Sequence, residues 1–531
     1  MQNPDPIVWG RNGDPLSASN TLRGGDTVTG AVGVMTYTWG GQSSSPNAYR
    51  LRPIGALGGS AQFVAVNERP TTPPATGGGI QVASLNLLNY FNTFTACKNG
   101  VGGAATDCRG ADNLVEFDRQ AAKTVEAIVG LGAEVIGVNE VENDGYGTTS
   151  ALADLVTRLN AATTPGSWAY IDADAGTGET NALGTDAIKV GMIYQPAAVT
   201  PVGTTAALNT ERFVNGGDSA PRTRPALAQA FRDNSTGGVF IATANHFKSK
   251  GSACAQPDQN DGQGNCNAVR TVAAEELAAW LATDPTGTGD PDVLILGDLN
   301  SYAKEDPIRT LEEAGYTNLV ADFIGSEAYS YVFDGQWGYL DHALGSASIR
   351  SQVTGVGEWH INADEPSVLD YNTNFKSTGQ ISSLYAADQY RVSDHDPVVV
   401  GLDLVNDTRA FVTGGGWIGA PAYGDVPAGK GEFQLSAKFT GAASPTGSVQ
   451  YAVGSGFSLT STSLETLDIT GSTARIRGQA SVNDEPGYRF EVIATDGGKK
   501  GDTFRIVVRD ASGVVYDSGA QSVKGQISLQ R

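Results

Sequence analysis

Only four histidines occur in the chain, His246, His342, His360 and His395, and the last is enclosed by two aspartates in "RVSDHDPVVVGL", directly before an apolar run. An imidazole beside a carboxylate is the pairing that acid–base chemistry uses, because the carboxylate orients the ring and stabilises its charged form. Five further polar clusters share one position, the end of a strand-like run. They are Asn86 in "SLNLLNY", Glu140 in "GVNEVEN", Asn245 and His246 in "TANHFKSKG", Asp298 and Asn300 in "LILGDLNSY", and Asp341 with His342 in "YLDHALG". Three of the four histidines belong to these ends, each next to a carboxylate or carboxamide. Asp298 and Asn300, two apart on an extended chain, point the same way. With Glu140 they supply hard oxygen donors suited to Mg²⁺, Mn²⁺ or Ca²⁺. Zinc is disfavoured as an obligate ion, since neither H-E-x-x-H nor close Cys/His spacing occurs. An aspartate after a strand is also a common turn or helix-capping residue, so "GDLNS" alone does not carry the assignment.

Distant strand ends meet only if the strands lie side by side, and the pattern from Ile80 onward predicts that they do. Strand-like runs ("IQVASLNLL", "EVIGVNEV", "AIKVGMIY", "ALAQAFR", "VFIATANHF", "DVLILGDLN", "LDHALGS", "PVVVGLDLV") alternate with helix-period stretches ("FDRQAAKTVEAIVGL", "SALADLVTRLN", "AVRTVAAEELAAWLAT"). This reads as a layered α/β domain over residues 78–405, whose strand ends form one rim. Before it, residues 1–70 read as a small β module, set off by the proline- and glycine-rich "ERPTTPPATGGG". After it, residues 410–531 show regularly spaced strands and turns, predicting a C-terminal β-sandwich with an accessory role.

A chain of 531 residues with 68 glycines and 40% hydrophobic residues suits a globular protein of two or three domains. No apolar stretch approaches the ~18 residues of a membrane span. The formal charge of −22 argues against broad backbone binding of polyanions, but not against phosphate chemistry at one site, because a bound cation reverses the local sign. "MQNPDPIVWG" lacks a signal-peptide pattern, so the chain is either cytosolic or starts after its export signal. Cys97 with Cys108, and Cys254 with Cys266, each bracket a short polar loop. Two local disulfides in an oxidising compartment are expected, against the alternatives of free thiols or a metal site. Export is favoured.

In their order, "SLNLL", "VNEVEN", "NHFKSKG", "LILGDLNSY", "LDHAL" and "SDHDPVVV" resemble the endonuclease/exonuclease/phosphatase superfamily, and most closely the ExeM/NucH-type secreted bacterial extracellular nucleases. The likeness covers residues 78–405 and implies a deoxyribonuclease I-like four-layer α/β sandwich. It further implies that Asn86, Glu140 and Asp394 sit on the metal side, with Mg²⁺ or Mn²⁺ as the ion and Ca²⁺ as a further option. His246 would hydrogen-bond the scissile phosphate or leaving group. Asp298 and Asn300 would orient the attacking water and contact the phosphate, and Asp341 would orient His395. Arg222 and Arg224 compete for a phosphate contact, with Arg224 preferred because it precedes Pro225, and Lys248 offers a second phosphate-binding cation. Two departures are Asn139 before Glu140, where many relatives have Gln, and His342 after Asp341. Asp396 is expected only to cap the turn before Pro397.

The N-terminal residues resemble the tail of an OB-like module. The expected activity is metal-dependent hydrolysis of DNA, with RNA as a further substrate, little sequence preference and no obligate protein partner. Hydrolysis of small-molecule or lipid-headgroup phosphoesters is the alternative within the same site chemistry. A binding protein that has lost catalysis would be expected to lack at least one of these residues.

Overall fold

The computed structural model describes the chain except for residues 1–3, 40–45, 58–61, 256–260, 406–410, 439–444, 455, 471, 499–500 and 531. The chain divides into two compact units. One comprises Met1–Ser235, Phe240–Thr286 and Pro291–Leu404, and the other comprises Val405–Arg531 with Thr236–Val239 and Gly287–Asp290. The expected junction near residue 410 lies outside the described residues.

The first unit is built on two six-stranded mixed sheets. In one, the order is Val353–Glu358, Val398–Leu402, Ile80–Tyr90, Val135–Glu142, Ile188–Tyr194 and Ala169–Tyr170. In the other it is Thr317–Asn318, Asp341–Gly345, Val293–Asp298, Val239–His246, Arg224–Asp233 and Val199–Leu208. Strand alternation sorts the apolar side chains into layers. Ile80, Val82, Met192, Val398 and Val400 meet Leu227, Phe231, Ala242, Ala244, Leu294 and Leu296 in the core between the sheets. Their neighbours Ala83, Leu85, Leu87, Ile136, Val138 and Val399 face the opposite way, onto Phe117, Ala121, Ile128, Leu152 and Leu155 of two helices. Those helices span Leu114–Leu131 and Ala151–Ala162. The first begins where the Asn113 side chain accepts from Val115 N and Glu116 N, and it ends at Gly132 in the left-handed conformation (φ 65°). The helix predicted from "AVRTVAAEELAAWLAT" spans Asn267–Leu281 and carries buried Val269, Ala273, Ala274 and Leu277. The architecture is the expected deoxyribonuclease I-like α/β sandwich.

Both cysteine pairs are disulfides, Cys97–Cys108 and Cys254–Cys266. No helix among the described residues is long and apolar enough to cross a membrane.

The N-terminal residues are tied into the first unit by buried charge. Arg23 pairs with Asp364 (3.2 Å) and with Glu365, all three side chains having no exposed surface, and Arg69 reaches Glu365 at 2.7 Å. Such pairs set position more than they add stability, yet removing one partner leaves an uncompensated buried charge. Strands Gly33–Trp39 and Asn47–Pro53 form a separate two-stranded ribbon.

In the second unit the all-β expectation holds with one refinement. The ladder runs unbroken as a single ten-stranded sheet, where the sequence pattern suggested two stacked sheets. Its first strand, Phe411–Ala420, pairs on one side with Gly429–Lys438 and on the other with the last strand, Lys524–Gln530. The curled sheet gathers Phe433, Tyr451, Phe457, Phe504 and Tyr516 into one core. The turn spacing is the same for one curled sheet and for two flat ones, which is why the pattern did not separate them.

Candidate active site

The period of two in the strands decides which polar ends converge. Val82, Ala244, Leu296 and Ala343 all face the inter-sheet core. Continuing each strand in step carries Asn86, His246, Asp298 and Asp341 into that same layer, just past its last apolar residues. Pairing then fixes their neighbours: His246 lies opposite Asp298 on parallel strands, and Asp298 opposite Asp341 on antiparallel ones.

Glu140 breaks the alternation. Val138 faces the helices, so Glu140 on a regular strand would do the same. It instead takes φ 63°, and the pairing of its strand skips from Val138 to Val141 on one side and from Asn86 to Tyr90 on the other. The bulge re-aims its carboxylate toward the rim. On the facing strand Leu88 (φ 50°) and Asn89 (φ 57°) are also left-handed, and buried Gln120 donates to the carbonyls of Leu87, Leu88 and Asn89. This kink delivers Asn89 N to Glu140 Oε2 (3.1 Å) and Leu88 N to Asn86 Oδ1 (2.9 Å). Asn300 (φ 47°) and Arg391 (φ 59°) share the same conformation. Each such residue costs of order 1–3 kcal/mol, which the surrounding packing must offset.

Gly297 has a comparable constraint: at φ 135°, a Cβ there would stand 2.0 Å from the Asn245 carbonyl oxygen. Gly297→Ala is therefore expected to cost roughly 2–4 kcal/mol and to displace Asp298, read as a lowered thermal midpoint together with lost activity.

The polar groups form one connected set. His395 Nδ1 is 2.7 Å from Asp341 Oδ2, which also accepts from Ser330 Oγ at 2.6 Å. Asp298 Oδ2 lies 3.9 Å from His395 Nε2, 3.6 Å from His246 Nε2 and 3.4 Å from Asn86 Nδ2, and Asp298 Oδ1 accepts from Asn300 N at 2.8 Å. His246 Nε2 stands 3.8 Å from Glu140 Oε1. Tyr331 packs on the His395 ring with centroids 4.6 Å apart.

Burial pushes the Asp298 carboxyl up to about 7 despite the opposing charge of His395, with Asp341 adding to the rise. Burial opposes charge on His395, but Asp341, Asp298 and Asp394 together outweigh it and hold the imidazole well above its ordinary range. His246 goes the other way: burial, then the charges of Arg224 and His395, keep it neutral. The surroundings thus favour charge on His395 and oppose it on His246, with the raised Asp298 carboxyl between them.

Glu140, Asp394 and Asn86 form the oxygen-rich side. The Glu140 carboxyl is raised by burial and by the charge of Asp394. Two acidic groups and a carboxamide gathered where negative charge is in excess fit a hard divalent cation. Asp298, Asp341 and His395 also place ligand atoms within 4.8 Å of one another, a spacing that a cation can span. Within that trio, Asp341 Oδ2 is hydrogen-bonded to His395 Nδ1 and Ser330 Oγ, whereas Asp298 stands 3.9 Å from His395 Nε2 without a hydrogen bond between them.

Several side chains stand apart from this set. Arg222 is held by Asp218 at 2.5 Å, whereas Arg224, at the start of its strand, lies 3.3 Å from Asp186 and close enough to act on Glu140 and His246. Lys248 does not present an open cation to a backbone; its Nζ donates to Ser249 O (2.6 Å) and Ser252 Oγ (3.1 Å), and Lys250 is engaged by Glu305. His342 points away from the site, with Nε2 2.7 Å from Ser301 O, and burial lowers it to about 4. Asp396 does not cap its own turn: it accepts from Asn362 N and Ala363 N and pairs with His360 Nδ1 at 3.0 Å.

Sequence reasoning missed Tyr331, Ser330, Asn362 and Arg109, the last of which acts electrostatically on His246. Two signals were available. "FDGQW" marks a two-residue hairpin turn, realised at Asp334 (φ 53°) and Gly335 (φ 76°), which carries Tyr331. Arg109 directly follows Cys108, whose disulfide pins it.

A profile of the Endonuclease/Exonuclease/phosphatase family matches residues 91–395. No curated protein matches the chain. Among solved structures, an endonuclease/exonuclease/phosphatase from Bacteroides vulgatus is 13% identical, with 61% of this chain and 98% of that one covered and a TM-score of 0.37. The human Nocturnin catalytic domain with bound sulfate is also 13% identical, covering 61% and 95%, with a TM-score of 0.36. An AP endonuclease from Archaeoglobus fulgidus is 11% identical, covering 61% and 100%, with a TM-score of 0.35.

Proposed function

Since the chain belongs to the endonuclease/exonuclease/phosphatase family, we propose that it is a secreted, divalent-metal-dependent nuclease hydrolysing the phosphodiester bonds of DNA with little sequence preference. The observation that carries this reading is the arrangement of Asp298 between the imidazoles of His246 and His395, with His395 tied to Asp341 and the Glu140–Asp394 pair alongside. Glu140 and Asp394, with the Asn86 carboxamide beside them, would hold a divalent cation, which when bound would supply positive charge against the nonbridging phosphate oxygens. Asp298, poised near neutrality, takes a proton from the attacking water, and Asn300 beside it contacts the phosphate. The His395 imidazolium faces the charge that builds on the phosphorus oxygens. As the water oxygen bonds to phosphorus, the bond to the leaving oxygen breaks; His246 hydrogen-bonds that oxygen, which takes its proton from solvent, and Arg224 at the rim contacts a phosphate.

These groups are directed at phosphate rather than base edges, which supports cleavage without sequence preference. Two disulfides favour an oxidising, extracellular setting. The alternative substrates, small-molecule or lipid-headgroup phosphoesters, are separated by assaying linear duplex DNA, single-stranded DNA, RNA and a small phosphoester with one preparation and Mg²⁺ or Mn²⁺. DNA cleavage that exceeds small-ester turnover supports the proposal, and turnover confined to the small ester overturns it.

A further inference from the structure

We infer that Asn362 is the positioning residue for His395, and that the N-terminal residues hold Asn362 in place through Asp364 and Glu365. The inference rests on the reading of His395 as the catalytic imidazole. Its bond to Asp341 fixes the ring of His395 but not the backbone that carries it. Residues 391–396 have no ladder of their own, so their backbone groups need partners elsewhere.

Asn362, with no exposed surface, supplies them. Its Nδ2 donates to the His395 carbonyl (2.6 Å), and its Oδ1 accepts from Val392 N (2.9 Å) and Ser393 N (3.3 Å). Its backbone N donates to Asp396 Oδ1 (2.7 Å), and its carbonyl accepts from Arg391 Nη1 (3.0 Å). One residue thereby touches five of the six positions that carry the imidazole. An aspartate in its place would keep the acceptor for Val392 and Ser393 and lose the donor to His395.

The loop holding Asn362 is itself fastened from the far side. His360 stacks on Tyr329 at 3.9 Å and 2°. Asp364 accepts from Asn67 Nδ2 (2.7 Å), Tyr329 OH (2.8 Å) and Trp337 Nε1 (3.1 Å). Glu365 takes both Nε and Nη2 of Arg69 (2.9 and 2.7 Å), Thr21 Oγ1 (2.9 Å) and Arg23. Arg23 Nη2 also donates to the His360 carbonyl at 2.8 Å. Buried ionic contacts are a costly way to add stability but an effective way to fix register. These converge on residues two and three positions from Asn362.

The test combines kinetics with hydrogen exchange on the full chain. Asn362→Ala is expected to lower kcat by about 10–100-fold with KM within about threefold, the loss that a misplaced catalytic group produces. Combined with His395→Ala, it should be no slower than His395→Ala alone within about threefold, because both changes remove one function. Arg69→Gln should lower kcat by about 3–10-fold and add little to Asn362→Ala. Amide exchange of residues 391–396 should accelerate in Asn362→Ala and in Arg69→Gln. Asn362→Asp, which keeps the fold's acceptor contacts, covers the case in which alanine does not fold and should show the same kcat loss. Losses that multiply in the His395 double variant, a change confined to KM, or unchanged exchange over 391–396 would each overturn the inference. If the parent cleaves no phosphoester, the proposed function fails, and the exchange measurement still decides whether the latch exists.

Discussion

His395→Ala is expected to lower kcat by roughly 10³–10⁴-fold while leaving KM nearly unchanged, with a lowered thermal midpoint because buried Asp341 loses its charged partner. The size follows from three roles on one ring. The imidazole is oriented by Asp341, held charged by Asp341, Asp298 and Asp394, and placed 3.9 Å from the carboxyl group proposed to activate water. Deleting it removes the positive charge facing the phosphate and frees Asp341 from its partner. The fold should survive, because the segment's backbone is held by Asn362 through main-chain groups that alanine retains. Asp341→Asn should follow in the same direction with a smaller loss, since the ring stays but its orienting charge is gone. Steady-state kinetics of plasmid cleavage, with circular dichroism melts of each variant, make the check. A His395→Ala protein as active as the parent removes the imidazole from the mechanism.

Glu140→Gln is expected to produce the second-largest effect, raising the Mg²⁺ or Mn²⁺ concentration needed for half-maximal activity by about 10–100-fold. The substitution is nearly isosteric and keeps an oxygen for the Asn89 N–H, so the bulge should persist. It removes one of the two negative charges that fit this side for a hard cation. Because burial and the charge of Asp394 make an ionised Glu140 costly in the absence of a cation, Glu140→Gln should also raise the thermal midpoint of metal-free protein slightly. That opposite sign separates a ligand from an ordinary buried carboxylate. Activity measured over a metal titration, alongside melts in chelator, reads both quantities. An unchanged metal requirement would remove Glu140 from the cation site.

Much of this centre is legible in the chain because it sits where strand periodicity ends. Asn86, His246, Asp298 and Asp341 stand in step with Val82, Ala244, Leu296 and Ala343 of their strands, so recognising the strands nearly determines which way these side chains point. Glu140 shows the limit of that logic: alternation alone sends it to the wrong face, and a bulge turns it back to meet the Asn89 N–H of a facing strand that Gln120 braces. Asp396 shows another limit. Its partners, Asn362 and His360, lie more than thirty residues away and join it through loops that have no period to read. Lys248 reads as an open cation in sequence, yet the short turn after it folds its amine onto Ser249 and Ser252. The all-β character of the second unit is likewise evident from alternation, whereas the placing of its last strand beside its first, in one continuous sheet, depends on a pairing between distant segments.

The central claim is that this site hydrolyses phosphodiesters with a divalent cation, and conversion of supercoiled plasmid to nicked circles by the purified full chain tests it most directly. The account predicts nicking with Mg²⁺ or Mn²⁺, its loss in excess chelator, and its return when the cation is restored. Plasmid that stays supercoiled with either cation, or nicking that proceeds undiminished in chelator, would contradict it.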